Sequence, residues 1–274
     1  MVTLGIILIH NGDHDRIATS QAAIDSFARA VDGVVTVVVG EESKQPPIVD
    51  APLSQKLLAW YLSVTGDHRW ANYLAPPLSF SERRRRLRAS LKYSRKQFKR
   101  MLRRGKRVSV ARAVSAKNIR AWKRMLQQGW DFLLVLEDDV VLAENSDKEI
   151  DACVHALRST DPDDFLFASL AKALTLQQIG AGGLVTENTD TLTWFRKPVS
   201  NTAAAYVVSR GLAKEFVSLV SRHRFLAQNP ADWILNHMFM RLQRRRQPVA
   251  CFHTREGIFV NRSILGELPS HTQV

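Results

Sequence analysis

Three carboxylates in a row, Glu137, Asp138 and Asp139, follow the apolar run Phe132 to Leu136 without a gap. Carboxylates set side by side repel one another at neutral pH, and a divalent cation that accepts hard oxygen ligands reconciles them. Mn²⁺ or Mg²⁺ together with a phosphate-bearing ligand is the occupant this pattern favours. A solvated acidic turn is the plain alternative. Against it, five apolar residues directly before the triplet read as a buried strand, and open α/β sheets bind ligands outside the carboxyl ends of their strands. His10, Asn11 and Asp13 stand in the same position after another apolar run, Leu4 to Ile9, and so border the same sheet edge and a nucleotide pocket there. Lys117 and Asn118 open the helical stretch before the acidic strand, where backbone N–H groups and a cation suit a phosphate or a base. For these two the alternative is a solvated first turn.

The elements that must hold these residues follow from hydrophobic spacing. Val2 to Ile9 reads as a buried strand, Arg16 to Val31 as a helix with Ile17, Ile24, Phe27 and Val31 on one stripe, and Val34 to Val39 as a second strand. Continuous β-branched runs fit a sheet covered on both faces, so the expected class is α/β with a mostly parallel sheet flanked by helices. Between Glu41 and Pro77 the periodicity weakens and prolines recur, around a short helix near Leu53 to Val64. Ser115 to Gln128 is the next helix, with Trp122 in the core and Gly129 as its stop. Further helices are expected near Lys148 to Ser159, Gly211 to Arg222 and Asp232 to Gln243. Strands are expected at Phe165 to Ser169, Thr191 to Phe195, Ala203 to Val208 and Val249 to Phe252.

The chain has 274 residues, 45% of them hydrophobic, which is enough for a sizeable core and excludes wholesale disorder. Its longest apolar stretches are too short to span a bilayer. The first residues lack a basic signal region and the two cysteines, Cys153 and Cys251, show no metal or disulfide spacing, so a reducing cytoplasm is the expected setting. The net charge of +13 is local in origin. Of 39 Lys and Arg, 14 fall in residues 83–107, where no acid occurs, and the rest of the chain holds 25 bases against 26 acids. Leu87, Leu91, Phe98, Met101 and Leu102 fall on about 100° of arc there, so a basic amphipathic helix over 83–104 is expected. Anionic lipid at the inner face of a cell membrane is its favoured partner, an anionic acceptor polysaccharide the second, and nucleic acid the third.

A helix with Trp122, a short loop and a strand ending Leu136-Glu137-Asp138-Asp139-Val140 resembles the core of glycosyltransferase family 25. Members of that family build lipooligosaccharide and related glycans from nucleotide sugars. Asn201-Thr202-Ala203-Ala204-Ala205-Tyr206-Val207-Val208-Ser209-Arg210 is similar to the family's later block, and Pro230-Ala231-Asp232-Trp233 to its following acidic block. The set runs in order from residue 115 to residue 264. Where the family has Ser-His before the helix tryptophan this chain has Lys117-Asn118, a pair common in the wider GT-A nucleotide-sugar fold.

The resemblance implies a single GT-A (Rossmann-like) domain over 1–274, with an insertion at about 44–107 that carries the basic helix. It implies a metal-dependent and inverting transfer, from a nucleoside diphosphate sugar, foremost a UDP-sugar, to a cell-surface glycan or lipid-linked acceptor. Asp139 is then the direct metal ligand. Glu137 or Asp138 reaches ribose or sugar hydroxyls, with Asp138 also near the metal. His253 is a candidate late metal ligand, its alternative being a surface or core histidine. Thr202 and Arg262 join the donor site, Arg262 with Ser263 in a polar C-terminal segment that closes over the donor. Asp232 is the candidate base for the acceptor hydroxyl, or else a helix N-cap. Two other functions stay open: a catalytically silent polybasic binding protein, and a nucleotidyltransferase, although no glycine-rich basic loop follows the first strand.

Overall fold

The structure is a computed structural model that describes residues 2–10, 12–31, 36–42, 52–74, 79–82, 84, 85, 88, 105–172 and 174–263. Strands β1 (Thr3–Ile9) and β3 (Phe132–Glu137) are the two apolar runs that precede the candidate site residues. Their side chains alternate between two cores. Ile7, Ile9, Leu133 and Val135 face one, and Leu4, Ile6, Leu8, Leu134 and Leu136 face the other. Both faces of the sheet are covered, and that is why the runs carry no alternating polar residues.

In chain order the remaining elements are α1 (His14–Ala30), β2 (Thr36–Glu42), α2 (Leu53–Leu74), α3 (Gly105–Gln128), β4 (Val140–Leu142), α4 (Asp147–Arg158), β5 (Leu166–Ser169) and β6 (Ala171–Lys172). Then come β7 (Val185–Asn188), β8 (Leu192–Phe195), β9 (Ala205–Ser209), α5 (Arg210–Arg222), α6 (Ala231–Arg244), β10 (Ala250–Thr254) and β11 (Phe259–Asn261). Eight strands form one sheet in the order β2-β1-β3-β9-β5-β10-β8-β7. Only β9 and β8 oppose the common direction, so the sheet is mixed and mostly parallel. Helices α3, α5 and α6 fill one face, and α1 and α4 the other. A second sheet, β4-β11-β6, sits beside the carboxyl end of β3.

Several boundaries differ from the sequence expectation. The helix expected to open at Ser115 starts at Gly105, ten residues earlier, because Val108 and Val110 extend the buried stripe upstream. The helix expected near Leu53 to Val64 continues to Leu74. Its far end is anchored by Tyr73, which is buried, donates from its hydroxyl to the Pro198 carbonyl at 2.9 Å, and accepts at its own carbonyl from Lys197 Nζ at 2.9 Å. Of the expected basic helix, Arg84, Arg85 and Arg88 are described, all helical and exposed, and the rest of 83–104 lies outside the described residues. Among the described residues no helix is long and apolar enough to cross a membrane.

Gly5 shows how tightly β1 is packed. A Cβ built there would lie 1.9 Å from Cε3 of Trp130, whose indole is itself buried. Neither the ring nor the strand can yield without moving the core. Gly5→Ala is therefore expected to cost about 1–3 kcal/mol or more by overpacking. Urea unfolding followed by circular dichroism checks this, and an unchanged midpoint would show that the Trp130 ring is free to move.

Candidate active site

Strands β1 and β3 run parallel with Ile9 opposite Glu137, so their ends place His10 and the acidic triplet on one edge. Antiparallel β9 ends its pairing with β3 at Ala205 opposite Leu136, and the Ala204 carbonyl accepts from the Glu137 N–H at 2.8 Å. The chain then turns at Asp138 and Asp139 into β4. Strand β4 pairs antiparallel with β11, Asn261 opposite Val140, and this carries residues 261–263 onto the acidic turn.

Each carboxylate of the triplet has a different environment. Asp139 accepts from Asn261 Nδ2 at 3.1 Å on one oxygen and from Ser263 Oγ at 2.5 Å on the other, while its carbonyl accepts from the Arg262 N–H at 2.9 Å. Asp138 is buried and lies 3.8 Å from Nη1 of Arg16, a guanidinium that is itself buried. Burial pushes the Glu137 carboxyl well above the usual range. The charges of Asp139, Asp138 and Asp232 push it further, and Lys117 pulls it back.

That set of neighbours unites residues far apart in sequence. Lys117 is buried on α3 and donates from Nζ to the His10 carbonyl, which ties α3 to the end of β1. Two residues before it, the Ser115 hydroxyl donates to the Asn229 carbonyl, just ahead of α6. The clamp sets the start of α6, and Asp232 in its first turn comes within electrostatic reach of Glu137. Asp232 is not the N-cap, a position held by Pro230. Burial raises its pKa, while the N–H groups of Trp233 and of Asp232 itself hydrogen-bond the carboxylate and favour its charged form.

Other expected residues have different surroundings. His10 is buried and accepts on Nδ1 from the Gly12 N–H at 3.2 Å. Asn118 is buried in a relay: Trp122 Nε1 donates to Tyr206 Oη at 3.0 Å, and that hydroxyl donates to Asn118 Oδ1 at 2.5 Å. Its Nδ2 donates to the Val114 carbonyl at 3.0 Å, so its contacts lock α3 to β9. Thr202 lies half-buried in the turn before β9, its Oγ1 3.4 Å from the Ala204 N–H. Asn11 lies outside the described residues.

His253 is a core residue. Its ring packs 4.5 Å from that of Phe195, and its Nε2 donates to the Val199 carbonyl at 2.7 Å. Asp138, Asp139 and His253 are not gathered, and among the described residues no three His, Cys, Asp or Glu form a ready metal cage. Burial pushes the His253 pKa from 6.5 down to about 4. The unfolded imidazole takes a proton below pH 6.5 that the folded one refuses until about pH 4, so stability drains away as pH falls through that window. His253→Gln keeps a donor for Val199 and removes the titration. It should flatten the loss of urea midpoint between pH 6.5 and 4 by up to about 3 kcal/mol; a slope equal to that of the parent protein would reject the assignment.

Arg16 and Asn261 escaped sequence reading. A cavity of about 70 Å³ on the α1 side of the acidic turn is lined by Asp15, Arg16, Thr19, Asp138, Asp139, Val140 and Arg262. Arg16 carried one available signal: a cation in the first turn of a helix opposes the helix dipole, so it needs an anionic partner from elsewhere. Asn261 carried none, because the β11 register alone brings it to Asp139.

No family model matches the chain, and no curated protein matches it. One solved structure that superposes on the chain is described as a glycosyltransferase involved in the glycosylation of the major capsid of PBCV-1. The superposition covers 94% of this chain and 92% of that one, with a TM-score of 0.36 and 8% identity. A likeness of that size carries no argument, so the function is read from the site.

Proposed function

We propose that the protein is a GT-A-type glycosyltransferase. It moves a sugar, with inversion, from a nucleoside diphosphate sugar, foremost a UDP-sugar, to a cell-surface glycan or a lipid-linked precursor. The observation that supports this reading is Asp232 within electrostatic reach of Glu137, the first residue of the acidic turn at the carboxyl ends of the strands, where one carboxylate can serve the acceptor while the others serve the donor. Asp232 takes the proton of the acceptor hydroxyl. The acceptor oxygen bonds to the sugar's anomeric carbon as the bond from that carbon to the phosphate oxygen breaks, and the nucleoside diphosphate departs with the bonding pair. Burial lifts the Asp232 pKa toward working pH, which strengthens it as a base.

The oxygens of Asp15, Thr19, Asp138 and Asp139 in one small cavity suit Mn²⁺ or Mg²⁺ of the kind that takes one or two carboxylates and completes its shell with phosphate and water. Asp139, aimed by Asn261 and Ser263, is the protein ligand in this proposal, and His253 is not. Such an ion supplies electrostatic stabilisation for the charge that grows on the departing diphosphate. Arg262 and Arg16 border the same space and add fixed positive charge.

The test is release of nucleoside diphosphate from UDP-, GDP- and dTDP-sugars, and of CMP from CMP-sugars, with Mn²⁺ or chelator, for the parent chain and Asp139→Asn. Turnover of one donor that depends on metal and is lost in the variant supports the reading. Pyrophosphate release from a nucleoside triphosphate and a sugar phosphate would point to nucleotidyl transfer instead. Failure of every donor both to react and to raise the melting temperature would overturn the transferase reading.

A further inference from the structure

Beyond Asp232, helix α6 carries Trp233, His237 and Arg241 at four-residue spacing, and residues so spaced share one helix face. The rings of Trp233 and His237 are 6.0 Å apart. Arg241 places Nη1 3.0 Å from His223 Nε2 and its guanidinium 5.6 Å from the centre of the Phe225 ring. Those partners are an imidazole, which burial and then the neighbouring arginines hold toward its neutral form, and a hydrocarbon ring. Arg69 of α2, with Arg244 and Arg245, adds like charge around Arg241. No carboxylate among the described residues pairs with Arg69 or Arg241.

His237, one turn before Arg241 on α6, feels the charge of both Arg69 and Arg241. It is 4% exposed, and its Nε2 has no hydrogen-bond partner. Burial, Arg69 and Arg241 push its pKa down to about 4, so at neutral pH it is an uncharged ring whose polar edge meets nothing. A buried polar atom left unmatched beside clustered guanidinium groups marks a place that an anion would complete.

We propose that the Trp233–His237–Arg241 face of α6, with Arg69 of α2, is an acceptor subsite that selects a saccharide bearing an anionic group. The assignment rests on Asp232 as the base, because the face begins one residue beyond it. Trp233, half-buried, offers an aromatic surface to the C–H face of a sugar ring. Arg69 and Arg241 offer planar forks that match phosphate or carboxylate oxygens. At 1.5 Å per residue, Asp232 and Arg241 are about 13 Å apart along the helix, so the anionic group lies at a distance from the hydroxyl that reacts.

The experiment titrates glucose 6-phosphate, glucuronate and glucose into the full chain at low ionic strength by calorimetry, with UDP titrated in parallel. The expected result is saturable binding of the phosphate sugar or the uronate and at least tenfold weaker binding of glucose. Arg69→Gln and Arg241→Gln should each weaken the anionic sugar at least tenfold and leave UDP unchanged. The preferred arm, phosphate or carboxylate, identifies the anion. Arg69 is exposed, so its variant tests the idea even if Arg241→Gln misfolds. Equal binding of glucose, no binding of either anionic sugar, or anion binding indifferent to Arg69→Gln would overturn the subsite. Failure of UDP, GDP, dTDP and CMP and of their sugars to bind with Mn²⁺ present, while the arginine-dependent anion binding persists, would remove the transferase reading, and with it the acceptor role, and leave an anion site.

Discussion

Asp232→Asn protein should bind a nucleoside diphosphate sugar as the parent does and transfer it about 10²–10⁴ times more slowly, the usual worth of a positioned base. That loss corresponds to roughly 3–5 kcal/mol of transition-state stabilisation. The substitution keeps the size of the side chain and an acceptor oxygen for the N–H groups at the start of α6, so the fold should hold. What disappears is the capacity to take a proton. Burial raises the Asp232 pKa, so the activity of the parent should climb with pH through a limb that lies above the ordinary aspartate range. The residual activity of the variant should lack that limb. Donor binding lost together with turnover would refute the base role, and so would a variant that turns over normally.

Lys117→Met should destabilise the protein by about 3–5 kcal/mol, the cost of leaving buried charge without its counter-charge. Lys117 is 1% exposed, donates to the His10 carbonyl, and is the cation that holds the Glu137 pKa down against burial and three carboxylates. Methionine fills the volume and supplies neither function. Glu137 then shifts further toward its protonated form, and the His10 carbonyl is left without this donor. Adding Glu137→Gln removes the stranded charge, so the double variant should regain part of the lost stability. Urea midpoints of the four proteins in the cycle decide it. Single-variant midpoints equal to the parent's, or a double variant with strictly additive loss, would show that Lys117 and Glu137 do not act as a pair.

The sheet was legible in the sequence wherever a strand is buried on both faces. Leu4 to Ile9 and Phe132 to Leu136 announce themselves because each residue must satisfy one of two cores. Their ends then located His10 and the acidic triplet. Asp232 comes within electrostatic reach of Glu137, a nearness that no spacing along the chain announces. The small sheet was not legible, since β4, β6 and β11 are two or three residues long and exist by pairing with one another rather than by any periodic signal of their own. For the same reason Asn261 and Ser263 could not be connected with Asp139. The length of α3 was obscured by composition: the basic residues ahead of Ser115 broke the apolar pattern that Val108 and Val110 continue. His253, expected just beyond its strand, lies within β10, and of the two readings the sequence left open, metal ligand or surface or core histidine, its contacts with Phe195 and Val199 fit the core one.

The pairing of β4 with β11 also orders events in time. Asn261 meets Asp139 across 122 positions, and Ser263 meets it across 124. During synthesis the strand that ends in the acidic turn leaves the ribosome long before the residues that aim its last carboxylate, and contacts so remote in sequence carry the loop-closure cost that slows folding. A nascent chain halted before residue 259 therefore already contains Glu137, Asp138, Asp139 and Asp232, yet it cannot hold Asp139 in place. The Asp139 carboxylate therefore gains its two side-chain partners only when residues 261–263 have been made.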